Sequence, residues 1–152
     1  MDSHAYDAFT AALLESLARR AEVLGLVALG SMAGRDYQPD EFSDHDFFVV
    51  AEPPAAEPLR EDLSWLPSFD RVVLSFRETA HGLKVIYDDG HLLELAVFTR
   101  QELALARVNR YRVLLDRADV TTRMDAVAQD TAQVGAAAAA PTCAVSLSLI
   151  HI

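Results

Sequence analysis

Cysteine is almost absent from this chain. Cys143 is the only one among 152 residues, so no internal disulfide and no cysteine-based metal cluster can form. Lysine is as scarce, with Lys84 alone. In all, 13 basic residues stand against 23 acidic ones, a formal net charge of −10. Nucleic-acid binding leans on neutralising phosphates, so this balance argues against DNA or RNA as the main partner. It suits a cationic small substrate, or a site that holds divalent metal. Long apolar runs are missing too. No stretch approaches the ~18 uninterrupted apolar residues of a membrane span. The opening MDSHAYDAF has no basic segment leading into an apolar one, as a secretory signal would. The expectation is a cytoplasmic protein that does not engage a membrane. Neither a G-x-x-x-x-G-K-[ST] phosphate loop nor a G-x-G-x-x-G dinucleotide fingerprint occurs.

Apolar residues, by contrast, are plentiful. At 51% of the chain they rule out global disorder and are enough for one core, while the length leaves little room for a second domain. Phe9, Leu13, Leu17 and Ala21 recur at four-residue spacing and predict a first helix, with Asp2 or Ser3 as its cap. The run VLGLVALGS over 23–31 predicts a central strand, followed by a loop rich in Gly, Pro and Asp. HDFFVVA over 45–51 predicts a second strand. Residues 52–58 carry three prolines and are expected to form a surface linker, followed by a short helix over 59–66 that Pro67 stops. RVVLSF over 71–76 predicts a third strand. Residues 83–97 predict a hairpin turning at Asp88-Asp89-Gly90. Over 99–108 a helical pattern returns, with Thr99 as cap and Glu102 three residues on. YRVLL at 111–115 fits strand or helix. The fold class expected is α/β of the α+β type: a mixed, twisted sheet of four to five strands with flanking helices. The domain is expected to span 1–130. Beyond Asp130 no charged residue occurs and no amphipathic period is visible, so 131–152 is expected to be a disordered or loosely attached tail, or sequence that is not native to the domain.

The chemistry concentrates in Ser43-Asp44-His45-Asp46-Phe47. Residues i and i+2 of a strand share a face, so Asp44 and Asp46 point at one spot. Two such carboxylates repel unless a cation sits between them, and magnesium bridges carboxylates to phosphates. They also read as turn aspartates at a strand mouth. Glu94 sits mid-strand in HLLELAVF, where a glutamate is rarely buried without a partner; otherwise it faces water from an edge strand. Beside Asp44 and Asp46 it would complete a three-carboxylate metal centre of the kind that clamps a displacement at phosphorus. Gly30-Ser31 allows a phosphate close to backbone N–H groups and adds a hydroxyl, although Gly-Ser ends many strands.

Taken together, LGSMAGRDYQPDEFSDHDFFVV resembles the signature of the nucleotidyltransferase superfamily that includes DNA polymerase beta. That signature is an apolar residue, Gly, then Gly or Ser, a spacer, and Asp-x-Asp on the following strand. Gly30 and Ser31 match its first part. Asp44 and Asp46 match its second after a 12-residue spacer, and Glu94 matches the third carboxylate on a later strand. The resemblance covers about residues 20–116 and is nearest to the enzymes that modify aminoglycosides and lincosamides. It implies the nucleotidyltransferase fold. It also implies a magnesium-dependent transfer of a nucleoside monophosphate from ATP or another nucleoside triphosphate to a hydroxyl of a small molecule. By the same resemblance Asp44, Asp46 and Glu94 are the metal ligands and catalytic acids, with Glu94 drawing the proton from the acceptor hydroxyl. Gly30 and Ser31 meet the triphosphate.

Two features depart from the family pattern. Met32-Ala33-Gly34-Arg35 stands where many members have Arg soon after the Gly-Ser, so Arg35 takes the phosphate role in a different register. Glu94 replaces an acid that is often Asp and reaches one methylene farther. Lys84 is a candidate for a phosphate contact or for a solvent-facing position. His45 alternates away from its Asp neighbours and is read as a packed group. His81 and His91 are weak zinc candidates. Tyr37 and Trp65 are candidates for stacking on a base or sugar, with the core as the alternative for Trp65. Relatives of this type carry a helical domain that builds half of the acceptor pocket, and a homodimer or that missing domain is expected to complete it here. Two other readings stay open: an antitoxin that nucleotidylates a partner protein, and a nucleotide-binding domain without catalysis.

Overall fold

The computed structural model describes residues 3–30, 45–108 and 110–137. It is a mixed α/β fold. A six-stranded sheet runs in the order β3-β4-β5-β2-β1-β6, flanked by three helices: α1 (Ser3–Ala18), α2 (Pro53–Glu61) and α3 (Val120–Ala137). The strands are β1 (Val23–Leu29), β2 (His45–Ala51), β3 (Val72–Arg77), β4 (Gly82–Tyr87), β5 (Leu92–Thr99) and β6 (Tyr111–Asp116). The β2–β5 pair is parallel, and the other four pairs are antiparallel. The ambiguous segment at 111–115 is thus the sixth strand, one more than expected. It pairs with β1 because β1, apolar on both faces, is buried along its whole length.

Alternation along the strands divides two cores. On one face Phe47, Val49, Val85, Leu93 and Leu95 pack with Tyr6, Leu13 and Leu17 of α1 and with Ala56 and Leu59 of α2. On the other, Val27, Phe48, Val50, Ala96 and Phe98 pack with Val120, Met124 and Val127 of α3. Gly25 permits that second layer to close: a Cβ there would lie 2.7 Å from Val120 Cγ2 and 3.0 Å from the Leu115 carbonyl oxygen. Asp116 starts α3, accepting from the backbone N–H groups of Val120 and Thr121 at 3.0 Å each.

Several local expectations change. The predicted linker at 52–58 is the first part of α2, and the helix expected over 59–66 ends at Glu61. Pro53 and Pro54 occupy the first two helical positions, where a missing N–H costs no bond and the fixed φ favours the helix. At 99–108 the cap pair forms as expected, with Glu102 N–H donating to Thr99 Oγ1 at 3.1 Å and Thr99 N–H to Glu102 Oε1 at 3.0 Å. The helix it starts is only a 3₁₀ turn, Glu102–Leu105. α1 ends at Ala18, before the predicted Ala21. The largest difference lies at the C-terminal end. α3 was not expected at all, and it continues past the compositional break at Asp130 to Ala137. Thr131 is buried, accepting from Val108 N–H and donating to the Val127 carbonyl. The rest of the predicted tail, 138–152, lies outside the described residues. Among the described residues no helix is long and apolar enough to cross a membrane.

Candidate functional site

The parallel β2–β5 pairing sets the site. Its register places Asp46 opposite Glu94, at the beginnings of two neighbouring strands, where main chains run about 4.8 Å apart. The antiparallel β4–β5 register places Lys84 opposite Glu94 on its other side. Asp46, Glu94 and Lys84 therefore form one row across three adjacent strands. Their sequence neighbours His45, Phe47, Leu93, Leu95, Leu83 and Val85 are all buried toward α1 and α2, so the row lies on the sheet face that carries α3 farther along. All three are half-buried.

Lys84 Nζ lies 3.3 Å from Glu94 Oε1 and 3.4 Å from Glu78 Oε1. The charge and hydrogen bond of Glu94, with a smaller contribution from Glu78, raise the Lys84 pKa above its ordinary value and keep it cationic. Glu78 was not among the residues singled out from sequence. Its signal was available: reading 71–76 and 83–87 as a hairpin puts Glu78 diagonal to Lys84 across the strands, within reach of a long side chain. Beyond Lys84 the face is apolar and open, with Leu74 50% and Phe76 44% exposed.

Gly30 ends β1 with φ of +58°, and a Cβ there would meet no atom of the described residues within 4 Å. Its glycine character answers to the left-handed backbone and not to crowding. Its N–H donates to the Arg110 carbonyl at 3.1 Å. Ser31, Arg35, Tyr37 and Asp44 lie outside the described residues.

His45 is packed, as its alternation predicts. Its ring stacks on Tyr6 with centroids 3.8 Å apart. Its Nε2 donates to the Tyr6 carbonyl at 3.1 Å, and its Nδ1 meets His91 Nε2 at 2.5 Å. The carbonyl can only accept, so His45 carries its proton on Nε2, and Nδ1 takes the His91 N–H. Burial first, then the neighbouring His91, lowers the His45 pKa to about 3; burial also lowers His91. His81 is elsewhere, bonded to Glu102 Oε2 at 3.1 Å, so His81 and His91 do not meet over one ion. Trp65 is a core residue, 4% exposed, with Nε1 donating to the Leu59 carbonyl.

Asp46 and Glu94 offer hard oxygen donors side by side, which fits an oxygen-preferring divalent cation. Among the described residues no group of three His, Cys, Asp or Glu side chains is arranged around a common metal position, and Asp44, the third acid of the expected centre, is outside them. Two cavities formed by described residues lie away from the row. One of about 180 Å³ sits beside Arg20, Pro58 and Trp65, and one of about 330 Å³ beside Arg60, Phe69 and Ser75. No protein-family model matches the chain, and no curated protein matches it.

Proposed function

We propose that this chain is a nucleotidyltransferase of the DNA polymerase beta type, which moves a nucleoside monophosphate from a nucleoside triphosphate to a hydroxyl of a small, cationic acceptor. The observation that carries the reading is the direct pairing of Asp46 with Glu94 in a parallel register. The motif requires its third acid on a later strand that neighbours the Asp-x-Asp strand, and β5 is such a neighbour of β2. Gly30 at the end of β1, beside β2, supports the same reading.

In this mechanism Asp44, Asp46 and Glu94 would hold magnesium, which would supply positive charge against the triphosphate and make the acceptor hydroxyl easier to deprotonate. Ser31 Oγ bears on the phosphates, with Arg35 and Lys84 supplying positive charge, and Gly30, whose N–H is held by the Arg110 carbonyl, serves by its left-handed turn at the end of β1. Glu94 takes the acceptor's proton as its oxygen bonds to the α-phosphorus, and the bond from that phosphorus to the β-phosphate oxygen breaks to release pyrophosphate. The excess of acid, net −10, favours an amine-bearing acceptor over a nucleic acid.

A second reading, nucleotidylation of a partner protein, is favoured by one observation. The edge strand β3 exposes Leu74 and Phe76, 50% and 44%, side by side on one face, an apolar strip of the kind that docks a partner. One experiment separates the two. The chain is incubated with magnesium and α-labelled nucleoside triphosphates, with small polyols, aminoglycosides and lincosamides in one arm and cell lysate in the other. Label in the small-molecule fraction with matching pyrophosphate release is the expected result. Label confined to a polypeptide selects the partner-protein reading, and no pyrophosphate release in either arm refutes both.

A further inference from the structure

Lys84 stands between two carboxylates, almost equidistant from each: 3.3 Å to Glu94 and 3.4 Å to Glu78. A small rotation of its four-carbon stem transfers the ammonium from one to the other without leaving it unpaired. Glu78 is held in place for this, because its backbone N–H extends the β3–β4 ladder to the Gly82 carbonyl at 2.9 Å. A unit positive charge at 3.3 Å from Glu94 opposes a divalent cation at the same carboxylate. The same charge relieves the repulsion between Glu94 and its neighbour Asp46 while no metal is bound.

We propose that Lys84 is the internal counter-cation of Glu94, and that Glu78 is the site to which its ammonium withdraws when a divalent cation takes Glu94. The proposal rests on the reading of Asp44, Asp46 and Glu94 as metal ligands. Both Lys84 and Glu78 are positioning residues in it: neither coordinates the ion, and together they set how tightly the acids bind it. Without Glu78, moving the ammonium off Glu94 strands it, so the metal must compete with a more tightly held lysine.

The test is Mn²⁺ binding to the full chain without nucleotide, read by calorimetry or by the spin-resonance signal of the free ion. Lys84→Met is expected to bind Mn²⁺ about ten-fold tighter than the wild type, and Glu78→Gln several-fold weaker, the scale set by one nearby charge at partly screened distance. The double variant should match Lys84→Met alone, because Glu78 acts through Lys84. Lys84→Gln repeats the test should the Met variant melt far below wild type. Wild-type affinity in the Lys84 variants overturns the counter-cation while leaving the metal site standing. So does a Glu78→Gln weakening that persists undiminished in the Lys84→Met background. Folded wild type and variants that all fail to bind Mn²⁺ overturn the metal-site reading, and this proposal with it.

Discussion

Thr131 offers the sharpest test of how α3 is attached. It is 8% exposed, its Oγ accepts from Val108 N–H at 2.8 Å, and it donates to the Val127 carbonyl at 2.9 Å. Thr131→Val keeps the branched shape and removes the oxygen. The Val127 carbonyl retains its place in the helical ladder, so that loss is small. Val108 N–H, itself at an 8% exposed residue, loses its acceptor in a buried setting, which costs about 1–3 kcal/mol. For a chain of this size each kcal/mol moves the melting midpoint by about 3 °C. The expected fall is therefore ~6 °C, seen by calorimetry, with a lower urea midpoint at unchanged slope. Thr131→Ser keeps the hydroxyl and loses one methyl, about 0.8 kcal/mol, so it should melt between Val and wild type. Cutting the chain after Asp130 removes Thr131 and the end of α3, and should destabilise at least as much as Thr131→Val. A Val variant that melts within ~1 °C of wild type refutes the reasoning, as does a Ser variant that falls as far as Val.

Two further outcomes are expected. If the proposed activity holds, Asp44→Asn, Asp46→Asn and Glu94→Gln should each lower nucleotidyl transfer by ~10²-fold or more, in protein whose melting curve shows it folded; a variant retaining more than about a tenth of wild-type turnover excludes that residue from the proposed metal site. His45 gives a pH signature. Its folded pKa of about 3 lies below the ordinary 6.5, so between those values the unfolded chain binds a proton that the folded chain does not. The stability it contributes is present above pH 6.5 and is lost as pH falls toward 3, by about 1.4 kcal/mol per pH unit. Replacing His45 with Gln should flatten the dependence of unfolding free energy on pH in that window by about one proton, and an unchanged slope would show that His45 is not kept neutral by its burial.

Much of this was legible in local sequence because the relevant physics is local. Period-two alternation in HDFFVVA and HLLELAV placed Asp46 and Glu94 on one face of their strands and His45 on the other. Asp88-Asp89-Gly90 marked the hairpin turn, where Gly90 takes φ of +87°. Thr99 and Glu102 read correctly as a reciprocal cap. What failed locally did so where the environment decides. Prolines at 53 and 54 punctuate a loop in most settings, yet they start α2 because the first helical N–H groups need no partner. Val120, Met124 and Val127 carry too weak an apolar stripe to be recognised beside so many alanines, until the cleared surface over Gly25 gives them a place to pack.

The row of Asp46, Glu94 and Lys84 could not be derived from any single segment. Each residue is polar on an otherwise apolar strand, and sequence alone determined that each demands a partner or water. Which partner depends on strand order. β5 follows β4 in the chain but also lies beside β2, in a parallel register that no turn sets. That register is chosen by packing Phe47 and Leu95 into one core while Phe48 and Ala96 enter the other. A slip of one residue would send every side chain of β5 to the wrong face. Tertiary structure, through this requirement to bury both faces of the central strands, is what brings the two acids side by side and aligns the lone lysine with them.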